Sequence, residues 1–166
     1  MSLEKEISAK PESSPALLSA NMSANVPAIV VDTNVLISAA LLPQSNVSRV
    51  LDLAVQNFVI AQNRATWEEL TSRIEKPKFD RYFEVGQRLV YLTRLAQLVK
   101  MHNSVAKVEV SRDADDDKFI ALAIDSSAKI IISGDEDLKR IGSYEGVQVL
   151  SPAEFLAKFA PDGQPE

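Results

Sequence analysis

Residues 28–38 read Ala-Ile-Val-Val-Asp-Thr-Asn-Val-Leu-Ile-Ser. An unbroken apolar run rich in β-branched residues suits a strand buried on both faces, as in a parallel sheet. Apolar residues resume at Val35 and continue to Leu41, too long a run for a loop. The stretch predicts a strand, a polar turn and a helix, with Asp32 at the carboxyl end of the strand. In open α/β sheets that end is where ligands sit. Asp, Thr and Asn also favour turns and helix caps, because their side chains bond free backbone N–H groups. Alone, Asp32 leaves capping and function equally open.

The same alternation continues along the chain. Residues 1–26 are rich in Ser, Pro, Asn and Glu and are expected to form a disordered tail, with a short helix available around Pro15–Ala20. Residues 27–160 make the folded domain and 161–166 a frayed end. Val47, Val50, Leu51, Leu53 and Ala54 recur at helical spacing, and Phe58–Ala61 reads as a second strand. Thr66 followed by Glu69 has the capping-box pattern, opening a helix that stops near Pro77. Val85, Leu89, Leu92, Ala96 and Val99 predict a helical stripe, or two helices around Gly86. Ala106, Val108 and Val110 alternate with charged residues and predict a short strand or an extended segment. An acidic run, Asp113 and Asp115–Asp117, opens the next helix. Lys129–Ser133 is a further buried strand, ending in Gly134-Asp135-Glu136-Asp137. Val147–Leu150 is the last strand, and Ser151-Pro152-Ala153-Glu154 starts the last helix. Strands alternating with helices imply an α/β fold, a three-layer α/β/α sandwich around a parallel sheet.

Composition narrows the chemistry. The chain has 166 residues, enough for one domain with a full core. It has no cysteine, which excludes disulfides and thiolate metal sites. A single histidine, His102, excludes His-pair metal sites, sits in no motif and reads as a surface residue. The net charge of −5 gives no long-range attraction to nucleic acid, so such contact would need local cations. No apolar stretch approaches the roughly 20 residues of a membrane span. The start of the chain lacks the apolar core of a signal peptide, so a cytoplasmic protein is expected.

What remains is a set of carboxylates at matching junctions. Two buried strands end in acids, at Asp32 and Asp135. Two helices begin near acids, at Glu69 and at Asp116 or Asp117. A helix that follows a strand starts at the strand's carboxyl end, so all four positions can face one rim. Carboxylates packed together repel and would take up protons unless a cation balances them. Oxygen-only ligands select Mg²⁺ or Mn²⁺, and such an ion supports phosphodiester hydrolysis without histidine. Each acid also has a structural reading: Glu69 as a capping-box residue, the Asp115–Asp117 run as a helix start, Asp135 as a turn residue. Asp137 reads as a cap or an outer acid rather than a ligand.

"VVDTNVLISAAL", the "EL…RIEKPKF" helix, "RDADDDKFIALAI" and "IIISGDEDL" occur in the order and spacing of PIN-domain proteins. The chain resembles the branch described as toxins of toxin–antitoxin systems, over about residues 28–159. The resemblance implies a metal-dependent ribonuclease whose acids bind Mg²⁺ or Mn²⁺. By motif, the first acid is Asp32 and the second is Glu69, immediately before the Leu of the "EL" pair, with Glu68 its neighbour. The third is Asp116, or Asp117 if the count runs back from "SGD". The fourth is Asp135. Asn34 and Ser133 match polar positions that orient ligands. The partners implied are an RNA substrate and an antitoxin protein, and a homodimer that apolar positions on the 79–99 helices could serve. Substrate phosphates would meet Lys76, Lys78 and Lys118, with Arg81 and Lys139 nearby in sequence, although most surface charges are only solvated.

Two other readings compete. An aspartyl phosphatase wants a second aspartate two residues after the first, where this chain has Asn34. A PIN-like module that binds RNA or protein without turnover would keep the scaffold and lack the cleavage.

Overall fold

The computed structural model describes residues 26–161. The expected helix around Pro15–Ala20, nearly all of the expected tail and the frayed end after Pro161 lie outside the described residues. The elements run β1 (Ala28–Val31), α1 (Thr33–Leu41), α2 (Asn46–Asn57), β2 (Val59–Gln62), α3 (Arg64–Ile74), a 3₁₀ turn (Pro77–Phe79) and α4 (Val85–Leu98). Then come β3 (Val99–Met101), α5 (Asp117–Ser126), β4 (Ile130–Ile132), α6 (Glu136–Ile141), β5 (Ser143–Tyr144), β6 (Val147–Leu150) and α7 (Pro152–Phe159).

The strands form a six-stranded sheet in the order β3-β2-β1-β4-β6-β5. All pairings are parallel except β5 with β6, an antiparallel edge. Successive strand residues face opposite layers. Ile29 and Val31 of β1 join the core under α1, α2, α3, α4 and α7, with Ile60, Ile130, Ile132 and Leu150. Val30, Ala61, Ile131, Val147 and Val149 join the core under α5 and α6, with Phe119, Ile120, Leu122 and Leu138. The three-layer α/β/α architecture read from the sequence is the observed one, and strands buried on both faces explain the unbroken apolar runs.

Strand order reverses between β1 and β4. From β1 the chain steps outward to β2 and β3; it then returns beside β1 to lay down β4 and steps the other way to β6. Main chains diverge there and open a crevice at the carboxyl ends of the two strands, the switch point of an open α/β sheet. Asp32 follows β1, and Ser133 to Asp135 follow β4.

Four expectations need correction. Of the two readings of Ala106–Val110, a short strand or an extended segment, the strand does not form; the edge strand is β3, which the apolar spacing assigns to the end of a helix. Residues 105–111 lie extended because two side chains supply what a neighbouring strand would. Asp125 accepts hydrogen bonds from the N–H groups of Val105 (3.0 Å) and Ala106 (2.9 Å). Asp117 Oδ1 accepts from those of Val110 (3.2 Å) and Ser111 (2.7 Å).

Second, the helix bearing Glu69 starts earlier than expected. Asn63 is its cap: its side chain accepts from Thr66 N–H (2.9 Å), and Thr66 Oγ1 accepts from Asn63 N–H (3.0 Å). Thr66 is therefore the third residue of the helix, and Glu69 is free of the capping duty that the pattern suggests. Third, α4 turns a different face inward. Val85 is 82% exposed and Leu89 67%, while Arg88 and Leu95 are buried. Arg88 pairs with Asp80 (2.6 Å) and Tyr91 donates to the Leu36 carbonyl (2.6 Å), so polar groups anchor this face. Gly86 lies in the first turn of α4 rather than between two helices. Fourth, His102 is half-buried rather than on the surface, and its N–H extends the β2–β3 ladder to the Gln62 carbonyl (2.8 Å).

Candidate functional site

Asp32 is buried, 5% exposed, at the mouth of the crevice. It caps α1, with Oδ1 accepting from Asn34 N–H (3.2 Å). Its Oδ2 accepts from the Ser133 hydroxyl (2.6 Å), and that hydroxyl oxygen accepts from Asp135 N–H (3.0 Å). Ser133 thus stitches the end of β1 to the end of β4 across the switch point. Burial raises the Asp32 carboxyl above the ordinary carboxylate range, opposed by the Ser133 and Asn34 hydrogen bonds and assisted by the charges of Asp135 and Glu69.

Asp135 caps α6, with Oδ1 accepting from the N–H groups of Asp137 (2.8 Å) and Leu138 (3.2 Å). Oxygen atoms of Asp116, Asp135 and Asp137 lie within 4.8 Å of one another. Asp116 stands just before α5 and makes no capping bond there. Its Oδ2 is buried and has no hydrogen-bond partner. Its carboxyl is pushed up to about 6, by burial first and then by the charges of Asp135, Asp113, Asp32 and Asp137.

Glu69 reaches the same rim from α3 but is already balanced. Its Oε1 meets Arg73 Nη2 (2.6 Å), and its Oε2, buried and without a hydrogen-bond partner like Asp116 Oδ2, is ion-paired with the Lys118 ammonium. Arg73 Nη1 also donates to Asn34 Oδ1 (3.0 Å). Asp117, the other candidate for the third acid, is buried and spends Oδ1 on the Val110 and Ser111 backbone. Lys76 and Lys78 are exposed beyond the end of α3, with Lys78 Nζ 5.0 Å from the Phe79 ring centre. Lys139 pairs with Glu136 (2.9 Å).

Asp32, Asp135 and Asp137 line a cleft of about 560 Å³, whose other wall includes Val35, Ser38, Val47 and Pro152. Two participants escape a reading of the sequence. Asp137 reads there as a cap, and its spacing of two from Asp135 is the available signal. Arg73 opens the "RIEKPKF" stretch but is given no role there, although its spacing of four from Glu69 is that of a helical ion pair.

The fold and the rim define an α/β domain with an acidic site at the sheet's switch point. All donors are carboxylate oxygens and one of them is buried without a partner, so the residues present suit a hard divalent cation. The model of the family described as PIN domain matches residues 28–137. The chain belongs to the PIN-domain family, whose members are in general divalent-metal-dependent nucleases. It is 30% identical over 141 residues to the uncharacterized protein MJ1680 of Methanocaldococcus jannaschii, covering 79% of this chain and 90% of that one. Its fold is similar to a chain in the crystal structure of VapBC2 from Rickettsia felis bound to a DNA fragment from their promoter. There the TM-score is 0.53 and the identity 15%, over 75% of this chain and 98% of the other. Among the described residues, no helix is long and apolar enough to cross a membrane.

Proposed function

We propose that the protein is an endoribonuclease that hydrolyses RNA with Mg²⁺ or Mn²⁺, and that it is the toxin of a toxin–antitoxin pair. The observation that carries the reading is Asp116: a carboxylate with a buried, unpartnered oxygen, facing Asp135 and Asp137, in a nuclease family. Asp32, Asp116, Asp135 and Asp137 would hold the ion. A bound ion would supply an activated water and stabilise charge developing on the phosphoryl group. The chain's own residues do the rest. Ser133 fixes the Asp32 oxygen it bonds, and Asn34 holds the other through its backbone. The acids keep the rim negative until the ion arrives, so a bound ion would also strengthen the hold on a polyanionic substrate. The cleft beside Val35 and Val47 has room for a nucleotide flanking the scissile phosphate.

The antitoxin part of the reading draws support from the resemblance of the chain's four motifs to the toxin branch of PIN-domain proteins. The exposed Val85 and Leu89 would serve a second copy of the chain. Light scattering of purified protein, alone and co-expressed with the product of an adjacent gene, tests both partners.

The decisive experiment is a cleavage assay on single-stranded RNA and single-stranded DNA, with Mg²⁺, Mn²⁺ and EDTA arms. Wild type is expected to cut RNA only in the metal arms. Asp32→Asn is expected to be inert. Cleavage that survives EDTA or the substitution overturns the reading.

A further inference from the structure

We propose that Glu69 is a positioning residue rather than a metal ligand: it holds Lys118 and Arg73 at the rim as a cationic seat for a substrate phosphate. The inference rests on the metal-dependent nuclease reading and assigns one of its acids a different task.

The geometry separates Glu69 from the other carboxylates. Asp116, Asp135 and Asp137 converge on one another; Asp32 and Glu69 both stand outside that group, and what sets Glu69 apart is its pair of cations. Each Glu69 oxygen has its own cation, Arg73 on Oε1 and Lys118 on Oε2. The side chain is 14% exposed, Lys118 25% and Arg73 31%, so these contacts are only partly screened by water. A dication placed on Glu69 would have to displace a cation or sit against two of them.

The three residues come from elements that carry the rest of the rim. Lys118 follows Asp116 by two positions at the start of α5. Arg73 also donates to Asn34 Oδ1, two positions after Asp32. One acid between two cations leaves a positive charge in excess beside the acids. A polyanionic substrate needs such a charge, because the chain as a whole carries −5 and offers no long-range attraction. Lys76 and Lys78 lie out on the surface, whereas Lys118 and Arg73 are held by named partners. An Arg held on one edge keeps further N–H donors for a phosphate.

The test measures metal and RNA binding separately. Calorimetric titration with Mn²⁺ alone reads the metal centre. Fluorescence anisotropy of a labelled single-stranded RNA in EDTA, over a range of salt, reads the cationic seat. Glu69→Gln is expected to stay within about threefold of wild type for Mn²⁺, whereas Asp116→Asn loses about 100-fold or more, beyond the loss typical of groups one step removed from a metal. Glu69→Gln, Arg73→Met and Lys118→Met are each expected to weaken RNA binding about fivefold or more, and the two cation removals to flatten the salt slope by about 0.7 per lost phosphate contact. If Glu69→Gln does not fold, the double variant Glu69→Gln, Lys118→Gln, which removes one charge of each sign, carries the same expectation for Mn²⁺.

A Mn²⁺ loss in the Glu69 variant as deep as in Asp116→Asn overturns the proposal alone. RNA affinity unchanged in all three clamp variants does so too, since a merely structural clamp would leave it unmoved. A wild-type Mn²⁺ isotherm in Asp116→Asn overturns the metal centre and the proposal together.

Discussion

The two sides of the rim hold their acids in opposite ways. On the α3 side, Glu69 is flanked by Arg73 and Lys118 and its charge is met. On the α5–α6 side, Asp116, Asp135 and Asp137 face one another, and Asp116 has a buried oxygen with nothing to bond. The first arrangement finds its counter-charges within the protein. The second is complete only with a cation or a proton, and the Asp116 carboxyl, raised to about 6, reflects that need. On the proposed reading, a carboxylate at this rim is a metal ligand only where the fold has not already supplied its counter-charge.

The sharpest way to break this comparison is to remove one acid from each side. Asp116→Asn or Asp135→Asn should lower Mn²⁺ affinity by about 100-fold or more and abolish RNA cleavage, since losing a ligand should exceed the 10–100-fold typical of outer contacts. Glu69→Gln should leave the isotherm nearly unchanged. Equal losses on both sides would erase the distinction.

A smaller effect separates Asp116 from its neighbour. Asp117→Ala leaves the Val110 and Ser111 N–H groups without their acceptor. At about 1 kcal/mol for each such bond, the variant should lose about 1–2 kcal/mol in urea unfolding. Its Mn²⁺ affinity should fall far less than that of Asp116→Asn, since Asp117 spends Oδ1 on the backbone. A variant that folds as stably as wild type but no longer binds Mn²⁺ would exchange the two roles.

These contrasts also bear on how much of the molecule is legible in its sequence. β1 and β4 are apolar runs buried on both faces, and such runs announce themselves. The acids at their ends follow, because the chain must turn there. The choice between Asp116 and Asp117 is not legible, since it depends on an extended segment that Asp117 itself holds in place. The false strand at 106–110 has the same origin. Its alternation is real, but Asp125 and Asp117 replace a strand partner, and side chains 6 to 20 positions away leave no local pattern. Arg88 misleads in the other direction: paired with Asp80, it is buried where a hydrophobic stripe expects a leucine. The pattern around Glu69 points to the right helix but the wrong cap, because Asn63 outcompetes Thr66 for that position.

The smallest expected effect is on stability against pH, and it isolates the unbalanced side. The Asp116 carboxyl rises from 3.8 in the unfolded chain to about 6 in the fold. Between those values the folded protein keeps a proton that the unfolded chain releases, so folding is favoured at the acid end and loses that favour as pH rises through about 6. In EDTA, the melting temperature of wild type relative to Asp116→Asn should therefore fall between pH 4 and pH 7. Because Asp116 is only partly buried and screened by solvent, the fall should be on the order of 2–4 °C for a domain of this size. Adding Mg²⁺ at pH 7 should reverse it in wild type, as a ligand that binds only the folded state must. It should do much less in Asp116→Asn. Glu69→Gln leaves Asp116 and its acidic neighbours in place, so it should follow wild type across the same range. A pH-dependent difference as large as that of Asp116→Asn would mean that Arg73 and Lys118 do not balance Glu69 as their contacts indicate.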